Sequence, residues 1–284
     1  MIAAAACLAA APARVRADAA PIQALFRQGL VFIWAGPVGR KPRLYLLDTG
    51  AELTVIDQQA AAADELHLGR AAQVDAAGGD LAARRTGGLT LRVAGGPLAR
   101  ADALVADLSQ PAQAMGLPLA GVLGMDALAA FRVTLDYARG QAWLDQSAPA
   151  SPAASPLRLS ALPYARARVG RDDRQAEGEF QLDTGSNTAV EFWAPFAAHA
   201  FPGARGAPTA AVGAGGPEAA ARSRIDWLEI AGRRTGPLAV NLADQTRPNG
   251  AGLDYAGVIG GPAWAGMTLV LDFPAGRMSV SAAG

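Results

Sequence analysis

The sequence predicts an all-β chain of two similar lobes, and three observations carry that reading. Short apolar runs, broken by Gly and Pro, alternate apolar and polar residues at the two-residue period of strands. One set of motifs is written twice at a fixed spacing. Between the copies lies SAPASPAASP at 147–156, whose prolines and small residues cannot build a core element and predict an extended linker.

The repeat sets the lobe boundaries. AGVLG at 120–124 returns as AGVIG at 256–260, and VTLDYARGQAWL at 133–144 returns at the same offset as LVLDFPAGRMSV at 269–280. Two Asp-Thr-Gly triplets start at Asp48 and Asp183, and their offset differs from that one by a single position. Shared composition would not hold separate landmarks to one spacing so closely. Duplication would, and it predicts lobes at 22–146 and 157–284 related by an approximate twofold axis.

Each lobe reads as strands in order. GLVFIWAG at 29–36 and PRLYLLDTG at 42–50 are short strands punctuated by Gly and Pro. GGLTLRVAGGPLARADALVADL at 87–108 predicts antiparallel strands joined at Gly95-Gly96, with RIDWLEIAGRRTGPLAVNLAD at 224–244 as its counterpart. Short helices fit MDALAAF at 125–131 and PAWAGM at 262–267, and hairpins then turn at Gly140 and Gly276.

Composition excludes several classes of partner. At 284 residues, 51% hydrophobic and 18% charged, the chain has material for two cores and does not read as disordered. A formal net charge of zero gives no reason to expect nucleic acid or an anionic membrane. The apolar run at 2–11 is too short for a bilayer, which needs roughly 20 residues. It fits an export signal over 1–19 with Ala17-Asp18-Ala19 at the cleavage site, although no basic residue precedes it. The competing reading is an alanine-rich N-terminal helix; export predicts a periplasmic or secreted protein. Cys7 is the one cysteine, so no intramolecular disulfide forms. A lipid on Cys7 is disfavoured because Ala4-Ala5-Ala6 lacks the expected leucine. With only His67 and His199 besides, no His/Cys metal site and no cofactor is expected.

The chemistry sits in the two triplets. Each ends an apolar run: LYLLDTGAELTVID at 44–57 and EFQLDTGSNTAVEF at 179–192. A carboxylate there is costly to ionise, because burial disfavours charge. Two such groups brought together by a twofold axis also repel each other, so the pair shares one proton, one member acting as base and the other as acid. Gly50 and Gly185 let two loops approach closely. Thr49 and Thr184 offer hydroxyls to backbone across the lobe boundary, and Ala51 and Ser186 are small where bulk would collide. Ser186 can donate to Asp183, which Ala51 cannot do for Asp48. A turn-capping role for Asp before Gly explains one triplet. It does not explain two, each followed at nearly the same distance by an apolar-apolar-Gly element ending at Gly124 or Gly260.

LLDTGAELTVID with GVLGMD downstream, and QLDTGSNTAVEF with GVIGG downstream, resemble the two active-site lobes of an aspartic protease. The likeness covers most of 40–145 and 175–281 and is nearest to bacterial retropepsin-like proteins, here with both lobes in one chain. It implies a bilobal acid-protease fold with Asp48 and Asp183 as the catalytic residues. Val122-Leu123-Gly124 and Val258-Ile259-Gly260 would pack behind the loops. It also implies glycine-tipped flaps, which DAAGGD at 75–80 and VGAGGP at 212–217 fit, with Gly78, Gly79, Gly215 and Gly216 at the tips. Plain Gly-rich hairpin turns would look the same. Asp126, Asp136 and Asp272 read as turn anchors or partners of Arg132 and its neighbours.

The expected function is that of an aspartic endopeptidase. It would be a monomer binding a peptide or protein substrate, extended, in the cleft between lobes. Two other classes compete: a catalytically silent peptide-binding or regulatory module of the same fold, and an inert structural domain.

Overall fold

The computed structural model describes residues 20–76, 78–145, 154–213, 216–243 and 255–282. The expected signal at 1–19, with Cys7, lies outside them, as does most of the expected linker at 147–156. The chain is all-β, at 57% strand and 12% helix.

The first half opens with β1 (Ala24–Arg27), β2 (Leu30–Pro37), β3 (Arg43–Leu47), β4 (Val55–Asp57) and helix α1 (Gln58–Ala63). A hairpin of β5 (Ala71–Ala76) and β6 (Gly79–Val93) leads to β7 (Leu98–Ala106) and helix α2 (Ser109–Met115). Then come β8 (Leu119–Leu123), α3 (Met125–Leu128) and the hairpin of β9 (Arg132–Asp136) and β10 (Gln141–Asp145).

The second half starts with β11 (Ser155–Pro156), β12 (Arg158–Leu159), β13 (Pro163–Arg171) and β14 (Arg174–Asp183). It continues through β15 (Val190–Phe192), helix α4 (Ala194–Ala200) and the hairpin of β16 (Ala207–Gly213) and β17 (Gly216–Ile225). The last strands are β18 (Trp227–Ile230), β19 (Arg233–Thr235), β20 (Leu238–Ala243) and β21 (Tyr255–Gly260). A 3-10 turn over Gly261–Trp264 precedes the hairpin of β22 (Met267–Asp272) and β23 (Arg277–Ala282).

The two large sheets run in matching order. In the first, β2-β3-β8-β4-β7-β6-β5 are successive neighbours; in the second, β13-β14-β21-β15-β20-β17-β16 are. Each triplet ends a strand that lies parallel to its apolar-apolar-Gly strand, with Leu47 beside Leu123 and Leu182 beside Ile259. One difference concerns 224–244. In the first half β6 runs unbroken and also pairs with β2, whereas in the second β17 stops at Ile225 and β18 takes over the pairing with β13. Pro237, with no N–H to give a ladder, stands at the neighbouring break between β19 and β20.

A third sheet joins the halves in the order β10-β9-β22-β23-β11. β9 lies antiparallel to β22, with Leu135 opposite Leu269, Val133 opposite Leu271, and Thr134 facing Val270 at the centre. Thr134 and Val270 occupy the same place in the two copies of the repeat, so the register is centred on equivalent positions. Ser155 and Pro156, expected in the linker, instead pair with Met278 and Arg277 as an edge, where a proline's missing donor costs no ladder bond.

One core cluster spans all three sheets. It holds Ile33, Tyr45 and Leu47 from the first half, Phe180, Leu182 and Phe192 from the second, and Val133, Leu135, Leu269 and Leu271 from the shared sheet. A second cluster, confined to the first half, covers the other face of its sheet with Phe32, Leu44, Leu46, Val55 and Leu104, packed under Met115 and Leu117. Among the described residues no helix is long and apolar enough to cross a membrane.

Candidate active site

Asp48 and Asp183, at the ends of equivalent strands of the two large sheets, meet across their loops. A β-carbon built on Gly50 would lie 2.4 Å from Cγ of Asp183, and one built on Gly185 would lie 2.3 Å from Cγ of Asp48. Each carboxyl group therefore rests on the bare backbone of the opposite loop, where only glycine fits. The two carboxyls are within hydrogen-bonding reach of each other. Both residues are half-buried, so the pair keeps a path to solvent although the surrounding mass of protein is large.

The threonines tie the loops together. Thr49 Oγ1 donates to Leu182 O at 2.7 Å, and Thr184 Oγ1 donates to Leu47 O at 2.7 Å. Each hydroxyl also accepts the other threonine's N–H, Thr49 N to Thr184 Oγ1 at 3.1 Å and Thr184 N to Thr49 Oγ1 at 3.0 Å. Both side chains are fully buried, so these four bonds form in a low dielectric without competition from water. Gly50 N and Gly185 N each donate at 2.8 Å to Oδ1 of the aspartate two positions before, which fixes carboxylate rotation.

Burial holds the Asp48 carboxyl well above the usual aspartate range, and the neighbouring Asp183 charge pushes it further. The Gly50 N–H opposes the shift without cancelling it. Asp48 thus retains a proton where an exposed aspartate would have lost it.

Behind the loops, Gly124 and Gly260 allow the backbone to approach: Met125 N donates to Ala51 O at 2.8 Å, and Gly261 N donates to Ser186 O at 3.0 Å. The hydroxyl of Ser186 accepts the Thr188 N–H at 3.3 Å, a bond within its own loop. Asp126 accepts from Thr54 N (2.9 Å), Thr54 Oγ1 (2.7 Å) and Asp102 N (2.9 Å), bracing the first loop from behind. Asp136 accepts from Ala138 N and Arg139 N and forms an ion pair with the Arg139 side chain. Asp272 accepts Ala275 N. Asp136 and Asp272 anchor turns, whereas Asp126 ties together segments distant along the chain.

Gly78 and Gly79, at positive φ, lie at the turn between β5 and β6. Gly216 opens β17 opposite Gly213, and Gly215 falls outside the described residues. Both hairpins are present as paired strands. Tyr137 lies within the repeated stretch VTLDYARGQAWL. Its hydroxyl is buried and makes no hydrogen bond among the described residues; burial raises its pKa, and the Asp183 charge adds to the shift. The equivalent position in the repeat is Phe273, which has no hydroxyl.

His67 lies in an exposed loop and His199 on the exposed side of α4. No group of three or more His, Cys, Asp or Glu residues able to hold a metal ion occurs among the described residues.

Residues 35–127 match the aspartyl protease family model. That stretch contains the first triplet, its threonine and glycine, and the Val122-Leu123-Gly124 element. The aspartyl protease match supports a protease function in general terms. No curated protein matches the chain.

Proposed function

We propose that the protein is an aspartic endopeptidase of two retropepsin-like lobes, 22–146 and 157–284, related by a pseudo-twofold axis. The catalytic pair is Asp48 and Asp183. One observation supports this above the others: two carboxyls on matching loops touch, share hydrogen-bonding reach and keep access to solvent. A structural aspartate gains nothing from facing a second one so closely, because like charges repel.

The pair shares one proton and binds a water. The ionised carboxylate takes a proton from the water as its oxygen attacks the scissile carbonyl carbon, and the protonated carboxyl donates to the carbonyl oxygen. The resulting gem-diol collapses, the C–N bond breaks, and the departing nitrogen is protonated from the pair. The bonds of Gly50 N, Gly185 N and the two threonines hold the carboxyls in fixed orientation, so little reorganisation accompanies proton transfer. The substrate lies extended between the lobes under the β5–β6 and β16–β17 hairpins, pairing by main chain. The enzyme acts as an exported monomer, periplasmic or secreted.

The test is hydrolysis of an unfolded protein by the purified chain. Asp48→Asn and Asp183→Asn are each expected to lower kcat by about 10²–10⁴-fold. Undiminished cleavage by either variant would refute the assignment. Binding of extended peptide with no product from the wild type would point to a silent module.

A further inference from the structure

One face of the first half is left open where the second half closes it with its own side chains. In the pairing of β2 with β6, Gly36 faces Arg92; in the matching pairing of β13 with β18, Gly170 faces Trp227. The second half ties its charges together there. The Trp227 ring lies against Gly170, where an added β-carbon would come within 2.1 Å of it, and the Arg234 guanidinium stacks on the ring at 4.0 Å. Arg168 reaches Glu229 at 3.4 Å, and Arg234 reaches the same carboxylate at 2.7 Å. In the first half Trp34 accepts the Ala94 N–H at 2.7 Å, so Ala94 stands where Glu229 faces Arg168. The acid that joins the second face has no counterpart in the first.

The first face carries cations that no acid answers. Register sets Arg92 opposite Leu98 and Arg100 opposite Thr90, and Val38 donates its N–H to Thr90 O at 3.1 Å from the other side. Lys41 O lies 3.2 Å from a β-carbon built on Gly36, which puts the β2–β3 turn over the same face. The alternate residues Leu91, Val93, Ala99 and Ala101 belong to the core, so Arg92, Leu98 and Arg100 point outwards. Val38 and Leu98 are 50% and 43% exposed, the two most exposed large apolar side chains among the described residues. The side chains of Lys41, Arg92 and Arg100 are exposed and make no hydrogen bond or ion pair among the described residues. Arg40 is held by Glu65 at 2.9 Å, and Asp102, two residues beyond Arg100, bounds the face along β7.

We infer that this face, with Lys41, Arg92 and Arg100 around Val38 and Leu98, seats the protein on an anionic phospholipid surface. The inference is independent of the endopeptidase reading. Unpaired cations are drawn to an anionic leaflet, and lysine and arginine keep their heads at the phosphates while their stems lie along apolar surface. Val38 and Leu98 leave water when they enter the headgroup layer. A protein partner would need about 800 Å² of matched surface from this side. A bilayer needs only cations and short apolar side chains on one exposed face. The zero net charge of the chain conceals this face, because it averages over surfaces of different composition. The contact is peripheral, made by side chains of one sheet.

The experiment mixes the full chain with vesicles of phosphatidylcholine alone, or of equal parts phosphatidylcholine and phosphatidylglycerol, and reads the bound fraction by sedimentation. The anionic vesicles should bind at least about 10-fold more tightly at low salt, and the preference should fade as salt is raised. Arg92→Gln combined with Arg100→Gln should weaken that binding by about 10–30-fold. Lys41→Gln, at a surface turn, should weaken it by about 5-fold and gives the same reading if the double variant fails to fold. Arg233→Gln removes an exposed cation of the second half and should leave binding within about twofold. Equal binding of the wild type to both kinds of vesicle overturns the inference. So does a loss with Arg233→Gln as large as that with Lys41→Gln. Binding to polyglutamate but not to vesicles would also overturn it, and would assign the face to an acidic protein.

Discussion

At the scale of single residues, the site depends on what is missing. Gly50 and Gly185 supply space, and a methyl group on either would stand where a carboxyl carbon now stands. Gly50→Ala is expected to displace Asp183 by a sizeable fraction of an ångström and to lower kcat by about 100-fold, since a misplacement of about 1 Å costs that much. Steady-state kinetics on one peptide checks it. Asp48 carries the pH signature. Its carboxyl is raised in the folded state, so the folded chain binds more protons than the unfolded one above the ordinary aspartate range. Stability from this group is therefore full in acid and is lost as pH rises towards the raised value. Asp48→Asn removes that loss. Its thermal midpoint should match the wild type near pH 3 and exceed it by a few degrees at pH 7. A gap that widens towards acid would contradict the burial argument.

At the scale of elements, each triplet is a strand end held by a loop from the other half. The Thr49 and Thr184 hydroxyls each give one bond and receive one, so removing either orphans a buried carbonyl and a buried N–H. Thr49→Val or Thr184→Val should cost about 1–3 kcal/mol in urea unfolding. The double variant should cost clearly less than the two singles together, because both lose parts of one network. Additive costs would mean that the four bonds act independently. The strands also show how one plan tolerates different breaks. β6 is continuous, while its counterpart stops before Asp226, which donates its N–H to Gly170 O and accepts the Asp172 N–H through Oδ2. Pairing with the neighbouring strand survives in both.

At the scale of the whole molecule, the halves are joined by a sheet that neither could complete. Leu135 and Leu269 face each other across the junction with no exposure, and the core cluster continues through them into both large sheets. Unfolding should then be one event. Tryptophan fluorescence reports on both halves, through Trp34 and Trp143 in the first and Trp193, Trp227 and Trp264 in the second. A single denaturant transition is expected, and Leu135→Ala should lower stability by about 2–5 kcal/mol without splitting it. Two separated transitions would show that each half folds alone.

The amino-acid sequence by itself determined the strand content, the repeat and the two triplets. Alternation, turn glycines and fixed spacing are local or self-referential patterns that need no knowledge of neighbours. Gly140 and Gly276 could be read as hairpin turns, and both stand at positive φ between paired strands. Only the tertiary structure decided what depends on contacts between segments far apart along the chain. That includes the threonine bonds between halves and the centring of the shared sheet on Thr134 and Val270. It also includes which side chains share a face of each large sheet, as Leu46, Val122 and Val55 do across three strands of the first. Such a row is assembled from strands distant along the chain, and register, which sets which side chains share a face, comes from how those strands pair.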